Sequence, residues 1–157
     1  MSKESPVAEG RIHEFVTKSG ADTVEVGRKL VNLLRPPQLL ILRGDLGTGK
    51  TTLVKGIAQA LDAAEPDEVT SPTFTLLHEY DGSREGKPVK LFHLDVYRLE
   101  GERQLETLGL DELLTPEALV LVEWGEKFKS IRKKATGEIS IASAGGDARK
   151  ISVTLKE

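Results

Sequence analysis

Residues 38–61 read QLLILRGDLGTGKTTLVKGIAQAL, and the reading of this stretch decides the fold. Gln38 to Arg43 is a short, almost unbroken apolar run rich in branched residues, which suits a strand buried on both faces, as in a parallel sheet. From Lys50 to Leu61 the period changes: Leu53, Val54, Ile57, Ala58 and Leu61 mark one face of a helix. Between them, Gly44-Asp45-Leu46-Gly47-Thr48-Gly49-Lys50-Thr51 fits the pattern G-x-x-x-x-G-K-S/T. The spacing has a chemical reason. Gly44 and Gly49 allow backbone angles and close approach that a Cβ would obstruct. The loop N–H groups can then curl around a β-phosphate. Lys50 can place its ammonium against β- and γ-oxygens, and the Thr51 hydroxyl can bind Mg²⁺. The helix that starts there adds its positive dipole end and its free N–H groups. The plainer alternative is a glycine-rich turn with no ligand. A buried strand before the loop and an amphipathic helix after it weigh against that alternative.

Outward from this unit, Ile12, Phe15 and Val16 predict a first strand, and Met1 to Gly10 a polar, flexible arm. Residues 11–157 are then one domain. Ser19 to Asp22 offers N-cap chemistry for a helix carrying Val24, Gly27, Leu30, Val31 and Leu34, stopped by Pro36-Pro37. After the phosphate loop, Thr73 to Tyr80 and Val89 to Asp95 read as strands joined by a turn within Asp81 to Pro88. Arg98 to Leu114 reads as short helical pieces broken at Gly109. Ala118 to Glu123 is a second buried-type strand, and Ile139 to Ala142 with Ile151 to Leu155 predict a terminal antiparallel hairpin around Gly145-Gly146. The sum is an α/β fold of the P-loop NTPase type: a mixed, mostly parallel sheet with helices on both faces and a C-terminal antiparallel hairpin.

Composition narrows the function. With 22 Lys plus Arg against 25 Asp plus Glu the formal charge is -3, which weighs against a chain that grips nucleic acid by itself. The absence of Cys removes disulfides, thiol chemistry and Cys-ligated zinc. No apolar run approaches the roughly 18 residues that cross a bilayer, so a cytoplasmic protein without a membrane partner is expected.

Mg²⁺ on a nucleotide needs a carboxylate reached from a neighbouring strand end. Asp95 closes Leu91-Phe92-His93-Leu94 and Glu123 closes Leu119-Val120-Leu121-Val122. C-terminal ends of parallel strands gather at the edge where the phosphate loop sits, so either acid can hold the metal while the other orients water. The sequence does not order them. His93 reads as a buried, hydrogen-bonded structural histidine rather than a catalytic one. His13 and His78 lack partners at metal-ligand spacing. Thr70-Ser71-Pro72-Thr73-Phe74 carries hydroxyls that can reach a γ-phosphate, as a switch segment does, although such a cluster alone is most often a plain loop.

GDLGTGKTTL, TSPTFTL, HLDVYR and VEWGEK, in this order and at these distances, resemble the bacterial TsaE (YjeE) family, whose members are required for threonylcarbamoyl modification of tRNA adenosine 37. The resemblance covers about Ser19 to Lys127. It implies that Asp45, Leu46, Gly47, Thr48, Gly49, Lys50, Thr51 and Thr52 cradle the phosphates of ATP. It implies that Thr51 and Glu123 flank Mg²⁺, that Asp95 is the Walker B-like acid needed for hydrolysis, and that Thr70, Ser71 and Thr73 belong to the switch segment. Trp124 becomes a functionally sensitive aromatic, with core or interface packing as the equal alternative. Thr23 and Arg149 are the matches for contacts on the adenine side. The resemblance also implies an accessory ATPase acting on a heterodimer of TsaB and TsaD, with tRNA met through those partners.

From the residues themselves, the expectation is a slow Mg²⁺-dependent ATPase: no evident arginine finger is present, Arg98 close after Asp95 could serve but reads first as a solvated or ion-paired residue, and a missing cis arginine leaves such hydrolysis slow. No N-K-x-D guanine signature follows the loop, which favours ATP over GTP. A nucleotide-gated binding module without significant hydrolysis and a small-molecule kinase are the two rival readings.

Overall fold

A computed structural model describes residues 11–45, 47–72 and 76–156. The expected arm, Met1 to Gly10, lies outside the described residues, as do Leu46, Thr73 and Phe74. The described residues form seven strands: β1 (Arg11–Thr17), β2 (Gln38–Arg43), β3 (Leu77–Arg84), β4 (Lys87–Asp95), β5 (Ala118–Glu123), β6 (Gly137–Ser143) and β7 (Arg149–Leu155). They make a single sheet in the order β1-β7-β6-β2-β5-β4-β3. The centre, β6-β2-β5-β4, is parallel; both flanks are antiparallel.

The central strands are apolar because both of their faces are covered. Over one face lie α1 (Gly20–Leu30) and α2 (Lys50–Ala60), packing Leu30, Leu53 and Ile57 onto Leu40, Leu42, Leu119 and Leu121. Over the other lie α3 (Glu102–Glu106), α4 (Leu110–Leu113) and α5 (Lys129–Lys134), packing Leu105, Leu110 and Ile131 onto Leu39, Ile41, Val120 and Val122. Ser19 caps α1 as expected, its hydroxyl accepting the Asp22 amide at 3.1 Å. The break between α3 and α4 falls at Gly109, at φ 67°. The helices α1 and α2 touch through Gly27 and Gly56. A Cβ on Gly27 would collide with the Leu53 carbonyl, and one on Gly56 with the Val24 carbonyl.

Two elements differ from the sequence reading. The β3–β4 strands run on through the stretch expected to be turn, pairing Asp81 with Lys90 and Arg84 with Lys87. The reversal is confined to Glu85 and Gly86, at φ 54° and 82°, the two left-handed residues that a tight two-residue hairpin requires. Polar residues on an edge strand imitate loop composition, which hid the strand. Helix α5 was not foreseen: KSIRKK buries only Ile131, too little for a periodic signal.

Candidate functional site

Three strand ends define the site. In the register of the parallel centre, Leu42 stands opposite Glu123, and Glu123 opposite Asp95. The C-terminal ends of β2, β5 and β4 therefore share one edge, and the chain leaving β2 there, after Arg43, is the glycine-rich loop. The loop closes on itself: the Thr48 amide and hydroxyl both donate to the Asp45 carbonyl, at 3.2 and 2.7 Å. Gly49 caps α2 at φ 107°, a backbone angle that side chains disfavour. Beside the loop opens a cleft of about 720 Å³ lined by Gly47, Gly49, Lys50, Thr51, Thr52 and Ser71 together with Asp95, Tyr97, Arg98, Glu123 and Trp124.

Lys50 is 8% exposed and bent back onto its own loop. Its Nζ donates to the Gly44 carbonyl at 2.6 Å and lies 3.5 Å from Glu123 Oε1. The second oxygen of Glu123, Oε2, lies 2.6 Å from His93 Nε2. Burial pushes the Glu123 pKa up, but the His93 hydrogen bond and the charges of His93 and Lys50 outweigh it and hold the carboxyl below the usual range. Asp95 is placed differently. Its Oδ1 accepts the Tyr97 amide at 2.9 Å. Burial first, and then the neighbouring charge of Glu123, raise its pKa, against the opposing pull of the Tyr97 amide, Lys50 and His93. Two buried carboxylates held side by side repel each other, and a divalent cation between them would relieve that repulsion.

Trp124, which the sequence left open between packing and function, sits in the left-handed region at φ 66°, an uncommon place for a bulky residue. That backbone places its ring 5.0 Å from Lys50 Nζ and 4.9 Å from the ring of Tyr97, at the mouth of the cleft. Sequence reasoning missed Tyr97, although it stands inside the HLDVYR motif. Of the expected switch residues, Ser71 lines the cleft, and the Thr70 carbonyl is 3.2 Å from His78 Nδ1. Thr73 is outside the described residues.

Thr23 and Arg149 come together on the other side of the loop, in a hollow of about 100 Å³ shared with Thr48, Gly49 and Thr52. The Thr23 hydroxyl is engaged by Thr17 at 3.0 Å. Arg149 reaches across 101 positions of sequence to donate from Nε to the Thr48 carbonyl at 2.6 Å, and from Nη2 to Gly47 at 3.5 Å. The guanidinium thus holds two loop carbonyls from the side of this hollow.

This geometry has known relatives. The family model described as threonylcarbamoyl adenosine biosynthesis protein TsaE matches residues 17–151. The chain belongs to the TsaE family. It is 37% identical over 138 residues to the tRNA threonylcarbamoyladenosine biosynthesis protein TsaE of Bacillus subtilis (strain 168), covering 88% of this chain and 82% of that one. It is 42% identical over 125 residues to TsaE of Mycobacterium leprae (strain TN), covering 71% and 75%. A crystal structure of Bacillus subtilis YdiB superimposes with a TM-score of 0.67 at 30% identity, covering 94% of this chain and 88% of that one. TsaE membership places the chain in threonylcarbamoyladenosine biosynthesis on tRNA. No helix among the described residues is long and apolar enough to cross a membrane.

Proposed function

We propose that this TsaE protein is a Mg²⁺-dependent ATPase that acts on a TsaB–TsaD heterodimer and resets it between rounds of tRNA modification. The observation that carries the proposal is the in-register pair of buried acids, Asp95 and Glu123, beside the loop lysine. Mg²⁺ takes one or two protein carboxylates and completes its shell from phosphates and water. Among the described residues there is no group of three or more His, Asp or Glu able to act as an all-protein cage, and the donor set of the cleft suits that mode of binding. Thr51 and Glu123 would hold the ion, with Asp95 next to them. Bound there, Mg²⁺ supplies charge neutralisation at the β- and γ-oxygens.

The chain's own groups do the rest. Loop amides bind the β-phosphate. Lys50 exchanges the Gly44 carbonyl for the β/γ-oxygens. Asp95 accepts a hydrogen bond from a water and orients it for in-line attack at the γ-phosphorus. The bond from that phosphorus to the β–γ bridging oxygen breaks, leaving ADP and inorganic phosphate. Trp124 covers Lys50 on one side, with the Tyr97 ring against it. Thr23 and Arg149, neighbours in the hollow beyond the loop, would contact the adenine side.

The test is multi-turnover tRNA modification with purified TsaB and TsaD, run with wild type and with Asp95→Ala. The expected result is retained ATP binding, hydrolysis down by about 10²-fold or more, and loss of modification. Modification that continues unchanged with Asp95→Ala would replace the ATPase by a nucleotide-gated binding module.

A further inference from the structure

His93 is fully enclosed, at 0% exposed. It stands on β4 two residues before Asp95, so both side chains leave the same face of the strand. On the adjacent strand Leu121 is opposite His93, and Glu123 is the next residue of that face. The Nε2–Oε2 separation of 2.6 Å spans this diagonal. A carboxylate only accepts, so Nε2 carries the proton of the bond. The other ring nitrogen, Nδ1, is buried and has no hydrogen-bond partner among the described residues. The imidazole therefore has one polar tether in the described structure, and that tether is Glu123.

Glu123 is held from two sides, by His93 at Oε2 and by Lys50 at Oε1. These two restraints do not survive equally in the mechanism. Once Lys50 turns to a triphosphate, its hold on Oε1 loosens, while His93, sealed under the helices, keeps Oε2. We propose that His93 is a positioning residue: its Nε2–H fixes the Glu123 carboxylate so that Oε1 stays directed at the phosphate loop when Lys50 lets go. This rests on the reading of the cleft as a metal–nucleotide site. Partners that orient a ligating carboxylate change metal affinity or activity by about 10–100-fold when removed.

The test compares His93→Leu, His93→Asn and His93→Gln. The glutamine amide can reach the Glu123 oxygen that Nε2 reaches; the shorter asparagine amide and leucine cannot. The main readout is Mn²⁺·ADP binding followed by electron paramagnetic resonance, with ADP affinity in EDTA as the metal-free reference and thermal melting as the fold control. Metal-dependent affinity should fall by about 10-fold or more in His93→Asn and His93→Leu, recover in His93→Gln, and leave ADP affinity in EDTA unchanged. In a Glu123→Gln background, His93→Asn should add no further loss, because both changes act through one carboxylate. Wild-type metal affinity in His93→Asn, failure of His93→Gln to recover it, or additive losses in the double variant would each overturn the assignment. A wild-type protein that binds no Mn²⁺·ADP would instead remove the ATPase reading beneath it.

Discussion

Asp95 sits buried beside Glu123 with one oxygen on the Tyr97 amide, and its burial works against stability. Its pKa in the folded chain is raised above the ordinary carboxylate value of about 3.9. Between the unfolded and folded values the native state holds the extra proton. The stabilising contribution is therefore complete below the unfolded pKa and lost as pH rises through the folded one. Asp95→Asn removes the charge while keeping an oxygen for the Tyr97 amide. In EDTA at neutral pH it should stabilise the protein by about 0.5–2 kcal/mol, read as a higher melting temperature, and the gain should shrink towards acid pH. A lower melting temperature at neutral pH would count against the conflict described for this pair. The motif containing Asp95 was legible in the sequence, because a charge closing an apolar strand run stands out. The unequal environments of Asp95 and Glu123 were not, because they depend on His93 and Lys50 arriving from other elements.

At the scale of elements, the contact of α1 with α2 sets where the loop can go, since α2 begins at Lys50. Gly56→Ala gains up to about 1 kcal/mol of helix propensity. It also drives a methyl group into the Val24 carbonyl, which is backbone and cannot rotate away. Overpacking of this kind costs about 1–3 kcal/mol, so the net effect should be destabilising in a denaturant melt. Gly20→Ala, with open space around its Cβ position at the start of α1, should be neutral or stabilising. Equal effects at the two positions would show that the helices do not meet through Gly56. The hairpin of β6 and β7 matters to the same loop through Arg149. Its predicted turn at Gly145-Gly146 was legible from composition, but a strap over a distant loop leaves no local pattern.

For the whole molecule, a ligand that binds only the folded state raises stability by mass action. Mg²⁺ with ATP at about 100 times its dissociation constant should add about 2.7 kcal/mol, seen as a concentration-dependent rise in melting temperature. Lys50→Ala should abolish that rise without unfolding the protein. A melting temperature unmoved by millimolar Mg²⁺ and ATP would remove the cleft as a nucleotide site.

The succession of strands, the first two helices, the phosphate loop and the two acids were written locally. The loop needs glycines at fixed spacing, and buried strands need apolar runs, and both leave marks in consecutive residues. Only the tertiary structure decided that Leu42, Glu123 and Asp95 share one row, that His93 grips Glu123, that Trp124 covers Lys50 and that Arg149 straps the loop. Register between strands distant in sequence is fixed by which side chains must be buried together, and no single segment contains that information.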